Sequence, residues 1–119
     1  MNRKVIAVRF FRSLKGNEPV REWLKKLPAD DKKIIGEAIK TVEFGWPLGL
    51  PLVRNLNQGL WEVRINLPSS RIARVMFCMQ KQQMILLHGF IKKTQKTPQA
   101  DMKLALDRMK KIGEGDSHE

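Results

Sequence analysis

The chain has 119 residues, of which 42% are hydrophobic, enough for one ordinary core but not for two, so we expect a single domain. No apolar run approaches the roughly 20 residues of a membrane-spanning helix, and the first residues lack a secretory pattern, so we expect a cytoplasmic protein. The single cysteine, Cys78, has no partner for an internal disulfide and lies in an apolar run, which argues against redox chemistry and a zinc site.

The formal net charge is +11, from 23 Lys+Arg against 12 Asp+Glu. The segment from Gly113 to Glu119 holds three acids and no Lys or Arg, and we expect it to be a disordered acidic tail behind a domain of residues 1–112. Between Phe44 and Ala100 there are eight Lys or Arg and one acid, Glu62. Such an excess favours a polyanionic partner, bound through phosphate contacts and counterion release.

The first part of the chain predicts a strand and two helices. Lys4 to Phe11 is an apolar run with β-branched residues, which is typical of a buried strand. Asn17 can cap a short helix that has Pro19 in its first turn and that Pro28 ends. A second helix carries a single apolar stripe and stops at Gly45. We expect both helices to pack on a sheet.

The second part predicts a meander of strands and a last helix. Residues 46–51, WPLGLP, are too rich in proline and glycine for a helix or strand, and Trp46 is the tryptophan that we expect to be exposed. Thr97 caps the last helix, with Pro98 in first position. Between residues 46–51 and Thr97 lie three strand candidates joined by short turns: Leu60 to Leu67, Arg71 to Met79 and Met84 to Lys92.

The predicted fold class is α+β. It consists of an antiparallel-rich sheet of four or five strands, two N-terminal helices packed on that sheet, and a C-terminal helix.

Alternation along the strands sorts the charged side chains by face. Arg64 shares a face with Glu62, opposite an apolar layer, and Arg74 is a charged residue on an otherwise apolar face of the next strand. His88 and Lys92 share a face of the last strand. If these faces coincide, the four cationic residues converge on one side of the sheet.

Each of these residues also has a purely structural interpretation. Arg64 is equally well explained as a surface group paired with Glu62, and Arg74 as an ion pair with Glu62 that holds strands together. A lone histidine such as His88 on an apolar strand is more often structural than catalytic. The basic run from Lys92 to Lys96 is typical of a solvated loop, yet it precedes a helix N-terminus, where backbone N–H groups add to a phosphate site.

The residue types favour RNA and a reaction without a metal. A metal nuclease needs several carboxylates near the scissile phosphate, and the basic region supplies only Glu62. No phosphate-binding glycine loop, Ser/His/Asp pattern or zinc spacing is present. A cationic site with one histidine suits RNA, whose 2′-hydroxyl attacks the adjacent phosphate once a base removes its proton. We therefore expect neither a metal nor a cofactor.

Four segments resemble the phage-derived, HigB-like branch of the RelE/ParE toxin superfamily: GNEPVREWL, FGWPLGLPLVRNL, GLWEVRINLPSSRIARVMF and LLHGFIKKTQKTP. The likeness runs from about Val8 to Ile112. It implies a RelE-like fold and a toxin of a type II toxin–antitoxin system, an endoribonuclease that cuts mRNA on the ribosome and inhibits translation. It also implies a toxin–antitoxin hetero-oligomer with a HigA-like antitoxin, often a helix-turn-helix protein.

The resemblance also implies roles for individual residues. Arg64 and Arg74 match positions where relatives place a cation against the phosphate. Lys92 and Lys93 match the basic residues after the last strand, and His88 falls where HigB-like members carry a histidine. Relatives use a C-terminal tyrosine that this chain lacks, so His88 or a lysine is left as the general base. RNA-binding residues are expected around these catalytic candidates, at Arg54, Arg71, Lys96 and Thr97.

Two other functions are consistent with the sequence. A ParE-like gyrase poison would share the fold without cutting RNA, although the segment LLHGFIKKTQKTP favours the RNA-cutting side. A non-catalytic nucleic-acid-binding prophage protein fits the charge alone equally well. Growth arrest on induction would separate a toxin from a passive binder.

Overall fold

The structure is a computed structural model that describes residues 3–94 and 96–116. Its elements are β1 (Ala7–Phe10), α1 (Pro19–Lys25), α2 (Ala29–Gly45), β2 (Val53–Asn57), β3 (Leu60–Leu67), β4 (Arg71–Gln80), β5 (Gln83–Lys92) and α3 (Gln99–Asp116). Helix α3 continues through residues 113–116 of the predicted tail. The last three residues of that tail lie outside the described residues.

Five strands form one mixed sheet in the order β1-β5-β4-β3-β2. The outer strand β1 pairs with β5 in parallel, and the other neighbours pair antiparallel. The α+β, RelE-like arrangement predicted from the sequence is therefore confirmed. The sequence did not locate β2, because Val53–Asn57 is a short, polar edge strand in which only Val53 is buried.

Helices cover the sheet on both faces. Helices α1 and α2 pack over one core, formed with strand residues that include Val63, Val75 and Phe77. Helix α3 packs over a second core, formed with residues that include Leu60, Met76 and Ile85. The central strand β4 is buried on both faces from Ile72 to Cys78, which explains its nearly continuous apolar sequence. No helix among the described residues is long and apolar enough to cross a membrane.

A β-bulge determines which face of β5 the histidine occupies. In the pairing with β4, Leu87 is an extra residue between Leu86 and His88. Leu86 lies in the core under α1 and α2, whereas His88 reaches α3. If β5 ran through Leu87 as a regular strand, His88 would share the face of Leu86, because alternate residues of a strand point to the same side. The Leu87 carbonyl accepts a hydrogen bond from Arg108 Nη1 of α3 at 2.8 Å.

The local predictions that were wrong include the exposure of Trp46 and the caps of α1 and α3, since α3 begins at Gln99 and the Thr97 hydroxyl donates to Glu62. Trp46 is half-buried rather than exposed, since its ring makes edge contacts with Trp61 at 5.1 Å and with Phe77 at 5.7 Å. Helix α1 has Glu18 rather than Asn17 at its N-cap position, and no side chain caps it by a hydrogen bond. Packing against Trp61 and Phe77 explains why Trp46 is half-buried. At α1, Pro19 already fixes the backbone of the first turn, so no side-chain cap is needed.

The packing of α1 on β5 gives a first prediction. A Cβ at Gly89 would lie well inside van der Waals contact of the ring of Trp23. We expect Gly89→Ala to lower the free energy of unfolding by about 1–3 kcal/mol, because this contact leaves no room for a methyl group. Urea denaturation measures the change.

The matched control is Gly36→Ala in α2, where nothing lies within 4 Å of the new Cβ. Alanine favours a helix interior by about 1 kcal/mol over glycine, so this variant should be at least as stable as the wild type. Equal stability of Gly89→Ala and the wild type would contradict the packing described.

Candidate nucleic-acid interface

The sheet face under α3 carries most of the predicted site residues. Strand register places Arg64 opposite Arg74, and Arg74 opposite Phe90. Neighbouring rows on the same face place Glu62 between Arg54 and Met76, pair Met76 with His88, and pair Ile72 with Lys92. The charged side chains that the sequence placed on separate strands thus share one face.

Arg74 lies inside the protein with 0% of its surface exposed. Its Nη1 donates to the Lys96 carbonyl at 2.7 Å, and its Nη2 donates to the Thr94 carbonyl at 2.6 Å. The guanidinium lies 5.9 Å from the centre of the Phe90 ring. Burial lowers the pKa of Arg74, and the negative charge of Glu62 opposes that shift. Contact with a phosphate would require the backbone at Thr94 and Lys96 to move.

Glu62 is the buried carboxylate beside this arginine, and it is also 0% exposed. Its Oε2 accepts a hydrogen bond from the Thr97 hydroxyl at 2.8 Å, and its Oε1 lies 3.8 Å from Arg64 Nε. We term Arg74 and Glu62, with their partners at Thr94, Lys96 and Thr97, the loop anchor. It ties the connection between β5 and α3 to the middle of the sheet.

A second cluster lies beside α3 at the end of β5. His88 Nε2 is 2.7 Å from Asp101 Oδ1, and Lys92 Nζ donates to Asp101 Oδ2 at 3.3 Å. Burial works against the charged form of Asp101, but the hydrogen bonds from His88 and Lys92 outweigh it and lower the pKa of Asp101. An ionised carboxylate only accepts, so His88 Nε2 carries the proton and Nδ1 is left as the basic atom of the neutral ring.

Exposed cations surround these two clusters. The side chains of Arg54, Lys93 and Lys96 are exposed, as is that of Lys92. Arg64 keeps 22% of its side-chain surface exposed beside Glu62. We term these five residues the basic rim. A phosphate can reach these five groups directly.

The structure does not bring two of the predicted RNA-binding groups to this rim. Arg71 lies at the opposite face, where it donates to both carboxylate oxygens of Asp31 in α2, at 2.8 and 3.0 Å. The same hydrogen bonds lower the pKa of Asp31 and raise that of Arg71. Thr97 directs its hydroxyl inward to Glu62. The sequence carried the signal for this face, because Arg71 and Arg74 are three positions apart on one strand and alternation places them on opposite sides.

Two residues of the site were missed from the sequence. Asp101 orients His88 and Lys92, and its signal was present, since it is the first acid after Glu62 and lies in the first turn of α3. Arg108 holds α3 to the bulge of β5, for which the sequence carries no signal. Among the residues that the structure describes, no group of three or more His, Cys, Asp or Glu could hold a metal ion.

The fold and the basic face define a small α+β protein with a RelE-like arrangement of strands and helices. A family model described as "Phage derived protein Gp49-like (DUF891)" matches residues 22–110. The chain belongs to this family of phage-derived proteins, which is RelE-like and related to toxin–antitoxin systems. The matched residues include the loop anchor, the basic rim and the His88–Asp101 pair. No curated protein shows a significant match to the sequence.

The lowered pKa of Asp101 gives a second prediction. A carboxylate whose pKa falls on folding stabilises the folded protein at pH values above the pKa of the unfolded chain, which is near 3.8. That stabilisation is lost as the pH falls through the lower pKa of the folded state. We expect Asp101→Asn to be less stable than the wild type at pH 7 by about 1–3 kcal/mol, because it loses charge-assisted hydrogen bonds. The difference should shrink below a pH of about 3.

Denaturation of both proteins across the pH range measures this difference. Asp107→Asn, an exposed aspartate of the same helix, is the control and should change stability by less than about 0.5 kcal/mol. A stability difference for Asp101→Asn that stays constant from neutral to acid pH would show that the charge of Asp101 does not stabilise the fold.

Proposed function

We propose that this chain is the toxin of a type II toxin–antitoxin system, a metal-independent endoribonuclease that cleaves mRNA on the ribosome and inhibits translation. Membership of a family related to toxin–antitoxin systems supports the toxin part of this proposal. The observation that carries the chemistry is His88, hydrogen-bonded to an ionised Asp101 and placed beside the basic rim. HigB-like activity is the form of this function that the quoted sequence segments favour.

In the proposed reaction, His88 Nδ1 removes the proton from a ribose 2′-hydroxyl. The 2′-oxygen bonds to the adjacent phosphorus, and the bond from phosphorus to the 5′-oxygen breaks, which leaves a 2′,3′-cyclic phosphate and a 5′-hydroxyl. Asp101 holds the ring in the required tautomer and stabilises the imidazolium that forms. The side chain of His88 is 15% exposed, so part of the ring is open to a substrate.

Lysines and arginines of the basic rim supply the remaining chemistry. Arg64 and Lys93 would hold the phosphate as negative charge develops on its oxygens. Lys92, next to Asp101, is placed to return a proton to the leaving 5′-oxygen. The net charge of +11 favours the ribosome and mRNA as partners. An antitoxin, of the helix-turn-helix type in the resemblance, would cover this surface in a toxin–antitoxin complex in the cytoplasm.

The third prediction concerns cleavage itself. We expect the purified protein to cut mRNA in translating ribosomes, at an unchanged rate when EDTA is added below the level that disrupts ribosomes. His88→Gln should slow single-turnover cleavage by about 10²–10⁴-fold, because it removes the general base. Mapping of the cut ends and quantification of the cyclic phosphate provide the measurement.

Lys33→Gln is the control, since this lysine is exposed on α2, on the other side of the sheet. It should cleave at the wild-type rate. Efficient cutting of naked RNA that requires added magnesium would rule out the proposed mechanism. Gyrase inhibition without RNA cleavage would instead identify a ParE-like poison, and binding without growth arrest would identify a passive nucleic-acid-binding protein.

A further inference from the structure

The segment that leaves β5 has no apolar side chain before Pro98 with which to attach itself to the protein. Residues 93–97, here termed the lysine loop, read Lys-Thr-Gln-Lys-Thr, and the structure describes all of them but residue 95. The side chains of Lys93, Thr94 and Lys96 are exposed. Burial of apolar surface therefore cannot fix the path of this loop across the sheet.

Polar contacts from the sheet fix it instead. Arg74 binds the carbonyls of Thr94 and Lys96, and Glu62 accepts a hydrogen bond from Thr97. These contacts draw the loop carbonyls inward. Because a peptide unit is planar and trans, the Thr97 N–H points away from Arg74, to the outer side of the loop.

The chemistry of Arg74 suits this attachment better than it suits a role in joining strands. A buried charge pair is a weak source of stability, and an aliphatic residue would pack β4 more favourably. Two buried polar atoms, Arg74 Nε and Glu62 Oε1, have no hydrogen-bond partner among the described residues. The terminal nitrogens of Arg74, by contrast, both reach carbonyls of the lysine loop at 2.7 Å or less.

We infer that Arg74 is a positioning residue, which holds the lysine loop on the sheet so that Lys93 and Lys96 are fixed for phosphate binding, and which does not itself contact the substrate. The identity of that substrate rests on the function proposed above, whereas the effect of Arg74 on the loop does not. Fixed lysines lose less conformational freedom when a phosphate binds, so the loop anchor lowers the cost of binding.

The experiment compares Arg74→Met with Arg108→Met. Arg108 is a matched control, because its guanidinium also loses water on folding and also donates to a backbone carbonyl under α3, but away from the lysine loop. Hydrogen exchange of residues 93–97 reports the attachment of the loop. The KM and kcat for cleavage on ribosomes, and the affinity for an RNA oligonucleotide with a 2′-deoxy nucleotide at the cut site, report its consequence.

We expect Arg74→Met to speed exchange in the lysine loop by about tenfold or more, because two charge-assisted hydrogen bonds are lost. It should also weaken oligonucleotide binding and raise KM by about tenfold, with a smaller change in kcat. Arg108→Met should lower the melting temperature while exchange in the loop stays near the wild-type rate.

Wild-type exchange in the loop of Arg74→Met, with kcat reduced about a hundredfold, would overturn the inference and make Arg74 a ligand of the phosphate. If Arg74→Met does not fold, Arg74→Lys decides, since it keeps the charge but cannot donate to both carbonyls in the two-pronged geometry of arginine. Faster loop exchange in this variant supports the inference, and unchanged exchange overturns it. A wild type that cleaves no RNA refutes the proposed function, while the exchange comparison still decides the role of Arg74.

Discussion

The guanidinium of Arg74 is buried in the middle of the sheet. A buried cation is stable only if hydrogen-bond acceptors of the protein replace the water that it loses. Its strand is covered on both faces, and the acceptors are backbone carbonyls that follow Arg74 in the chain by 20 and 22 residues. The connection after β5 therefore crosses back over the sheet, and α3 begins beside Glu62. One buried charge thus constrains where the last helix starts and where the nearby lysines face solvent.

A second arginine, Arg108, belongs to α3 and binds the helix to the sheet. Arg108 donates a hydrogen bond to the Leu87 carbonyl at the bulge, and burial lowers the pKa of the Arg108 guanidinium. The bulge places His88 on the α3 face of the sheet, where its ring is hydrogen-bonded to Asp101. The histidine, its carboxylate partner and the helix that supplies it therefore depend on one extra residue in β5.

Sequence patterns predicted the elements whose burial repeats with a regular period. The apolar stripe of α2 and the continuous run of β4 needed nothing beyond their own residues. Arg74 could be recognised as a charge in an apolar face, but its partners could not, because backbone carbonyls have no side-chain signature. The face of His88 depended on a bulge that alternation does not reveal. Alternation does place Arg71 on the opposite face from Arg74, and only its partner Asp31 could not be predicted.

The division of cations between the interior and the rim bears on selectivity in the proposed function. The planar guanidinium of Arg71 binds both oxygens of a carboxylate, and that of Arg74 binds two backbone carbonyls. The exposed cations at the end of β5 and in the lysine loop are Lys92, Lys93 and Lys96, which act as point charges and bind phosphates without base-specific geometry. In the proposed function such lysines would attract any RNA, and the ribosome would select the cut by presenting one phosphate to His88.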